Sequence, residues 1–146
     1  MSTIDELVSI RRRALIGVLI GFGAWQAADL ADRFGGDALP RSIHAALGAV
    51  TLLGALIYIA GLLWLSPVFK YLKADPELRL SLNDEFVQHV RLRASSFGFG
   101  AVLAVQAVPI VAAVAGVPLA GDMVARLTIL VGVTSALSAF LVFERG

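Results

Sequence analysis

Long apolar runs separated by short polar segments dominate this chain. Four runs carry almost no charge and are predicted to form helices at about residues 14–33, 43–65, 94–117 and 124–143. An α-helix rises about 1.5 Å per residue, so roughly 20 residues are needed to cross about 30 Å of hydrocarbon. The pattern therefore predicts an all-α integral membrane protein with four transmembrane helices.

Composition supports a single membrane domain over residues 1–146. Hydrophobic side chains make up 58% of the chain, and the mean hydropathy is +0.84. A soluble domain of this length cannot bury so much apolar surface. The 12 basic and 11 acidic residues give a net charge of +1, so we expect no nucleic-acid partner. The absence of cysteine excludes disulfides and thiolate metal ligands.

The basic residues are divided unequally between the two predicted sides of the membrane. One side holds Arg11, Arg12, Arg13, Lys70, Lys73, Arg79, Arg91, Arg93 and Arg145, whereas the other holds Arg33, Arg41 and Arg126. Cytoplasmic loops carry the excess of Lys and Arg. We therefore expect a multi-pass protein of the inner (plasma) membrane with both termini and the loop 66–93 in the cytoplasm.

Small residues at helical spacing predict close helix packing. Gly17 and Gly21 form a G-x-x-x-G pair, and Gly54 and Gly61 lie two turns apart. Such positions let two backbones approach each other in a membrane. We interpret them as contacts within a four-helix bundle rather than as a dimer interface.

Short motifs recur in the same order in the two halves of the chain. The pairs are R-x-R-A at 11–14 and 91–94, G-F-G-A at 21–24 and 98–101, Gln-Ala at 26–27 and 106–107, and G-D-x-x-x-R at 36–41 and 121–126. Two interpretations are open: a chance recurrence, or two tandem transmembrane hairpins produced by an internal duplication. A duplication would make the first and third helices run in the same direction, as a parallel internal repeat.

Three polar residues within the predicted spans are candidates for function: Asp29, Gln26 and Gln106. An ionisable group at the edge of the hydrocarbon is costly and often functional. Each glutamine amide needs a partner, either the other glutamine or a polar group on another helix. Pro109, one turn after Gln106, would free a backbone carbonyl as an acceptor. A structural hydrogen bond is the favoured interpretation for both glutamines.

Carboxylates and arginines alternate on the side with few basic residues. The pairs at i,i+4 spacing are Asp29 with Arg33, Asp37 with Arg41, and Asp122 with Arg126. Asp37 and Asp122 are also predicted to cap the helices that follow them. With Asp32 and His44 these carboxylates would suit a divalent cation. Because three of the four carboxylates already have an arginine in reach, we predict no metal site.

The loop 66–93 carries most of the charge between the second and third spans. Ser66-Pro67 is predicted to end the second helix and to begin a short helix on the membrane surface, and Ser81–Asp84 fits a capping box. Glu85, His89 and Arg93 share one helix face and are predicted to form a charged ladder. The candidate interaction residues in this loop are Asp84, Glu85, His89, Arg91 and Arg93.

The same loop resembles a stretch in a family of small, uncharacterised bacterial four-helix membrane proteins. Asp84-Glu85 followed by Val90-Arg91-Leu92-Arg93-Ala94 is similar to the D-E-(few residues)-[IV]-x-x-[KR]-A stretch before their third helix. Phe86 departs from that pattern, because those proteins often carry a charged residue there. The resemblance implies the fold and the location, and it implies no mechanism.

The sequence contains no nucleophile-base arrangement and no nucleotide-binding motif. We therefore expect no catalytic residues and no cofactor. The expected function is that of a non-enzymatic accessory or regulatory module, which binds a membrane protein partner or itself through the helices and the loop 66–93. The alternative is a small oligomeric transporter or channel, with a polar path near Asp29, Gln26 and Gln106.

Overall fold

The computed structural model describes residues 3–74, 85–117 and 119–144, and all regular structure in these ranges is helical. The elements are α1 (Thr3–Gly35), a short 3-10 helix (Gly36–Ala38), α2 (Arg41–Ala74), α3 (Glu85–Val105), α4 (Ala107–Val114) and α5 (Gly121–Phe143). The predicted all-α class is confirmed.

Four helical stretches are long and apolar enough to cross a membrane. They are Glu6–Ala38, Arg41–Ser66, Glu85–Val114 and Gly121–Phe143. Each contains most of one predicted span, so the prediction of four membrane-length helices is confirmed. The third stretch combines α3 and α4, which are separated by a break at Gln106.

The second helix does not end at Ser66. It continues through Pro67 to Ala74, so the predicted helix end is wrong. Proline removes one backbone hydrogen bond from a helix interior. Leu65 and Val68, on either side of Pro67, are both almost fully buried, and their packing offsets this loss. The predicted turn at Asp75-Pro76-Glu77 and the capping box at Ser81–Asp84 lie outside the described residues.

The helices form an open layer rather than a closed bundle. Helix α1 packs against α2 on one side and α5 on the other, and α5 packs against α3. Within the described residues α2 and α3 are not packed against each other, so they form the two edges of the layer. Lipid solvates the outer faces of helices as well as other helices do, so a membrane protein does not need to close such a layer.

Close approach at glycines joins α1 to α2 and α3 to α5. A Cβ atom on Gly21 of α1 would lie 2.8 Å from the carbonyl oxygen of Gly54 in α2. A Cβ atom on Gly98 of α3 would lie 2.7 Å from the Cβ of Ala136 in α5. The predicted use of the glycines for packing within one chain is confirmed.

The two hairpins have the directions that a parallel repeat requires. Helix α1 is antiparallel to α2 and α5, and α3 is antiparallel to α5, so α1 and α3 run in the same direction. Gly21 and Gly98 occupy equivalent places in the two hairpins. The G-D-x-x-x-R motifs do not, because Gly36 begins the 3-10 turn before α2 whereas Gly121 begins α5 itself. The internal duplication stays a prediction.

The described arginines lie at the ends of the layer that the sequence predicts. Those at positions 11–13, 91 and 93 lie at the end that carries the N-terminus, called here the N-terminal end. Arg33, Arg41 and Arg126 lie at the opposite end. Most of the described arginines thus lie at one end of the long axis of the layer.

Candidate functional site

Charged side chains of α1 and α5 meet at the end of the layer opposite the N-terminus. Asp29 accepts hydrogen bonds from Arg126 on α5 at 2.5 Å and from Arg33 on its own helix at 3.2 Å. Arg33 also lies 3.7 Å from Asp122, in the first turn of α5. Two carboxylates and two guanidinium groups therefore form one connected charge cluster, in which the formal charges cancel.

Of the three ion pairs that helical spacing predicts, one is present and two are not. The pair of Asp29 with Arg33 is confirmed. Asp122 pairs with Arg33 of α1 rather than with Arg126, because the antiparallel ends of α1 and α5 lie side by side. Asp37 forms no ion pair with Arg41 within the described residues, since it lies in the 3-10 turn and not on α2. Sequence spacing cannot reveal partners on a neighbouring helix.

Neither predicted aspartate cap is present. Helix α5 has Ala120 as its N-cap residue, and no side chain bonds to its first turn there. Helix α2 begins at Arg41, where the N–H groups of Ile43 and His44 donate to the carbonyl of Pro40. Asp122 instead lies within the first turn of α5, where a carboxylate still interacts favourably with the helix dipole.

His44 connects the start of α2 to the end of α1. Its Nδ1 lies 2.6 Å from a carboxylate oxygen of Asp32, and its Nε2 lies 3.1 Å from the carbonyl oxygen of Gly36. Both partners carry acceptor oxygens, so each ring nitrogen of His44 lies within hydrogen-bond distance of an acceptor. Gly36 has a φ of 47°, a left-handed conformation that glycine adopts readily. The side chain of His44 therefore holds the 3-10 turn closed.

We expect Asp29→Asn to weaken the charge cluster by about 1 kcal/mol, because its members are partly exposed and each retains some contact with water. Chemical unfolding of the reconstituted protein measures this loss. Asp37→Asn is the matched control, since Asp37 is exposed and forms no ion pair within the described residues. In 1 M salt the difference between the two variants should shrink. Equal stability of both variants at low salt would contradict the role of Asp29.

Gln106 forms a hydrogen bond to another helix. Its side-chain amide donates to the hydroxyl of Thr128 on α5 at 2.6 Å, and that hydroxyl donates in turn to the carbonyl of Val124 at 2.8 Å. The predicted structural bond of Gln106 is confirmed, with Thr128 as its partner. Gln26 is half-buried on α1 and has no hydrogen bond within the described residues, so the structural bond predicted for it is wrong. The two glutamines are therefore not paired with each other.

At the N-terminal end, α1 and α5 are joined by an ion pair that sequence reasoning missed. The guanidinium of Arg11 binds the carboxylate of Glu144, and it also lies 5.9 Å from the ring centroid of Phe140. The side chains of Arg11 and Glu144 are only 14% and 11% exposed. The two residues are separated by almost the whole chain, so no local pattern could predict their contact.

A groove between α3 and α5 opens at the same end. Its volume is about 390 Å³, and it is lined by Phe97 and by residues of α5 from Thr134 to Phe143. The guanidinium of Arg93 lies over the Phe143 ring at 4.6 Å from its centroid. Phe97 contacts the same ring edge-on at 6.5 Å. The apolar groove thus has a cation at its mouth.

The candidate interaction residues lie on the first turns of α3. Glu85, His89, Arg91 and Arg93 are exposed there, and Asp84 lies outside the described residues. The predicted ladder is wrong, because no ion pair joins Glu85, His89 and Arg93 within the described part of the chain. Arg93 contacts Phe143 of α5 instead, since its helix face is turned toward that neighbour.

The acidic and histidine side chains described here do not gather around a common point. Among residues 3–74, 85–117 and 119–144, no group of three or more His, Asp or Glu residues is placed to hold a metal ion. Asp29 and Asp122 bind arginines, and Asp32 binds His44. Each of these three carboxylates thus has a basic side chain as a partner.

No protein-family model matches this chain, and no curated protein or solved structure is significantly similar to it.

Proposed function

We propose that this protein is a non-enzymatic integral protein of the bacterial inner membrane that acts as an accessory or regulatory interaction module. Both termini and the connection between α2 and α3 lie in the cytoplasm under this proposal, as the excess of basic residues at the N-terminal end supports. The resemblance of the stretch around Asp84-Glu85 to small four-helix membrane proteins is consistent with it.

The observation that carries the proposal is the length of α1 and α2. They have 33 and 34 residues, respectively, whereas about 20 residues span the hydrocarbon. Both helices continue at the N-terminal end past the spans predicted from the sequence, 14–33 and 43–65. Leu7 and Val68 are almost fully buried in these extensions. The extensions therefore place ordered helix beyond the apolar spans, where another protein can bind.

Two of the three polar side chains proposed for a transport path, those of Asp29 and Gln106, support an interaction module over a transporter. A transport path needs polar groups that are available to a solute. Asp29 binds two arginines, and Gln106 binds Thr128. Their hydrogen-bonding capacity serves contacts between helices, so neither side chain is available to line a path in this conformation.

A photo-cross-linking amino acid at Glu6, exposed on the α1 extension, tests the proposal in native membranes. We expect one discrete adduct with a different protein, together with a heteromeric mass for the gently extracted complex. The control places the same amino acid at Arg41, which is exposed at the opposite end, and should give no such adduct. Adducts between copies only, with a homo-oligomeric mass and solute flux abolished by Asp29→Asn, would favour the transporter and overturn the proposal.

A further inference from the structure

The groove between α3 and α5 has the dimensions of a site for a single chain-like ligand. Its volume of about 390 Å³ falls in the range of about 300–1,000 Å³ that is typical of small-molecule sites. Its α5 wall runs from Thr134 to Phe143. At about 1.5 Å per residue that wall is roughly 13 Å long, close to half of a hydrocarbon core about 30 Å thick. Because the Phe143 end of this wall lies at the mouth of the groove, the groove holds the upper part of one acyl chain.

The mouth of the groove carries a cation without an anionic partner. Arg93 is exposed and stacks on Phe143, and within the described residues it forms no ion pair. It lies one helical turn before Phe97, so both side chains share the face of α3 that borders the groove. The nearby carboxylate of Glu144 is neutralised by Arg11. Among the described residues, an anion at the mouth would thus meet a positive charge that no carboxylate compensates.

Two hydroxyl groups lie between the charged mouth and the apolar interior. Ser135 and Ser138 line the groove and form no hydrogen bond within the described part of α5. Ser138 lies five residues before Phe143, or about 7 Å along the helix. That distance is similar to the roughly 5–7 Å thickness of the polar headgroup region on each side of a bilayer. Ester oxygens of a phospholipid would lie at this depth.

We propose that the groove binds one anionic phospholipid, with an acyl chain between α3 and α5 and the phosphate on Arg93. The Ser138 hydroxyl donates to an ester oxygen of the same lipid. A neutral hydrocarbon would not use Arg93, and a water-soluble anion would not use the apolar wall. The proposal rests on the membrane insertion proposed above, which successful reconstitution checks separately.

Retained lipid provides the test. The full chain is reconstituted in equal amounts of phosphatidylglycerol and phosphatidylcholine, extracted in mild detergent, and analysed by native mass spectrometry. The wild type should retain one phosphatidylglycerol in preference to phosphatidylcholine. Arg93→Gln should reduce this preference about fivefold, the effect of one basic side chain near an anionic lipid. Arg93→Lys should keep most of it.

Arg13→Gln is the matched control, because it removes the same charge at the same end. Arg13 is exposed and is rotated by about 200° around α1 from Arg11, which contacts α5. Its replacement should leave the preference unchanged. Equal losses from Arg93→Gln and Arg13→Gln would show a general surface effect and overturn the proposal, as would equal retention of both lipids by the wild type.

Ser138→Phe tests the groove itself. Ser138 is exposed, so the larger side chain can enter the groove without displacing buried groups. The variant should lose the retained lipid of both headgroup types. Retention at the wild-type level would show that the lipid lies elsewhere and would overturn the assignment of this groove.

Discussion

Replacing Gly21 with leucine is expected to destabilise the protein by about 3 kcal/mol, the upper part of the range for overpacked interiors. The first atom of any side chain at Gly21 would lie 2.8 Å from the Gly54 carbonyl oxygen and 2.9 Å from the Ile57 carbonyl carbon. Both contacts are with backbone, which cannot rotate away as a side chain can. Helices α1 and α2 must therefore separate, and contacts along their whole interface weaken.

Denaturant titration in mixed detergent micelles measures this loss, with tryptophan fluorescence as the signal. Trp25 lies one turn after Gly21 and packs on Tyr58 at 5.9 Å between ring centroids, so its emission should report the separation. Gly21→Ala should already destabilise the protein, because a single Cβ atom makes the contact. Gly48→Leu is the control, since a Cβ atom there meets nothing within 4 Å. Equal losses from Gly48→Leu and Gly21→Leu would contradict this account.

Replacing Glu144 with glutamine is expected to destabilise the protein by about 3 kcal/mol, because it leaves the buried charge of Arg11 without its partner. The Arg11 side chain is 14% exposed, and its Nε is buried without a hydrogen bond even in the wild type. Once Glu144 is neutral, the guanidinium must either stay poorly solvated or leave its contact with Phe140. Thermal unfolding in a fixed detergent measures the effect.

A double substitution separates two contributions to stability: the stabilisation from the ion pair, and the destabilisation from a buried charge without a partner. Arg11→Met combined with Glu144→Leu should recover most of the lost stability, because apolar pairs of similar volume often replace buried ion pairs without loss. Arg12 and Arg13 remain in that variant and keep the charge bias of the N-terminal end. A double variant less stable than Glu144→Gln would show that the ion pair itself stabilises the contact between α1 and α5.

The two ends of α1 are thus joined to α5 by different kinds of contact. The pair of Arg11 with Glu144 is mostly buried, whereas the charge cluster around Asp29 is partly exposed. Salt should therefore weaken the charge cluster more than the buried pair. Between these ends α1 and α5 are in ordinary van der Waals contact, as at Gly23, whose Cβ would lie 3.8 Å from the Thr134 side chain.

Local patterns in the sequence predicted those features that depend on neighbouring residues along one helix. The four membrane-length helices follow from uncharged runs, since in lipid only a helix satisfies all backbone groups within the segment. The pair of Asp29 with Arg33 follows from spacing on one helix face. The prediction that α2 ends at Ser66 is wrong because burial of Leu65 and Val68 favours a continuous helix across Pro67.

The sequence by itself determined the number of membrane-length helices, their approximate bounds and the division of arginines between the two ends. Only the tertiary structure decided the order α2, α1, α5, α3 in an open layer, the exchange of partners between Asp29, Arg33, Asp122 and Arg126, and the contact of Arg11 with Glu144. Membrane-length helices are encoded by continuous apolar runs, which adjacent residues establish. The pairing of residues on different helices depends on which helix faces pack together. That packing depends on the shapes of whole helix faces, which no local sequence pattern contains.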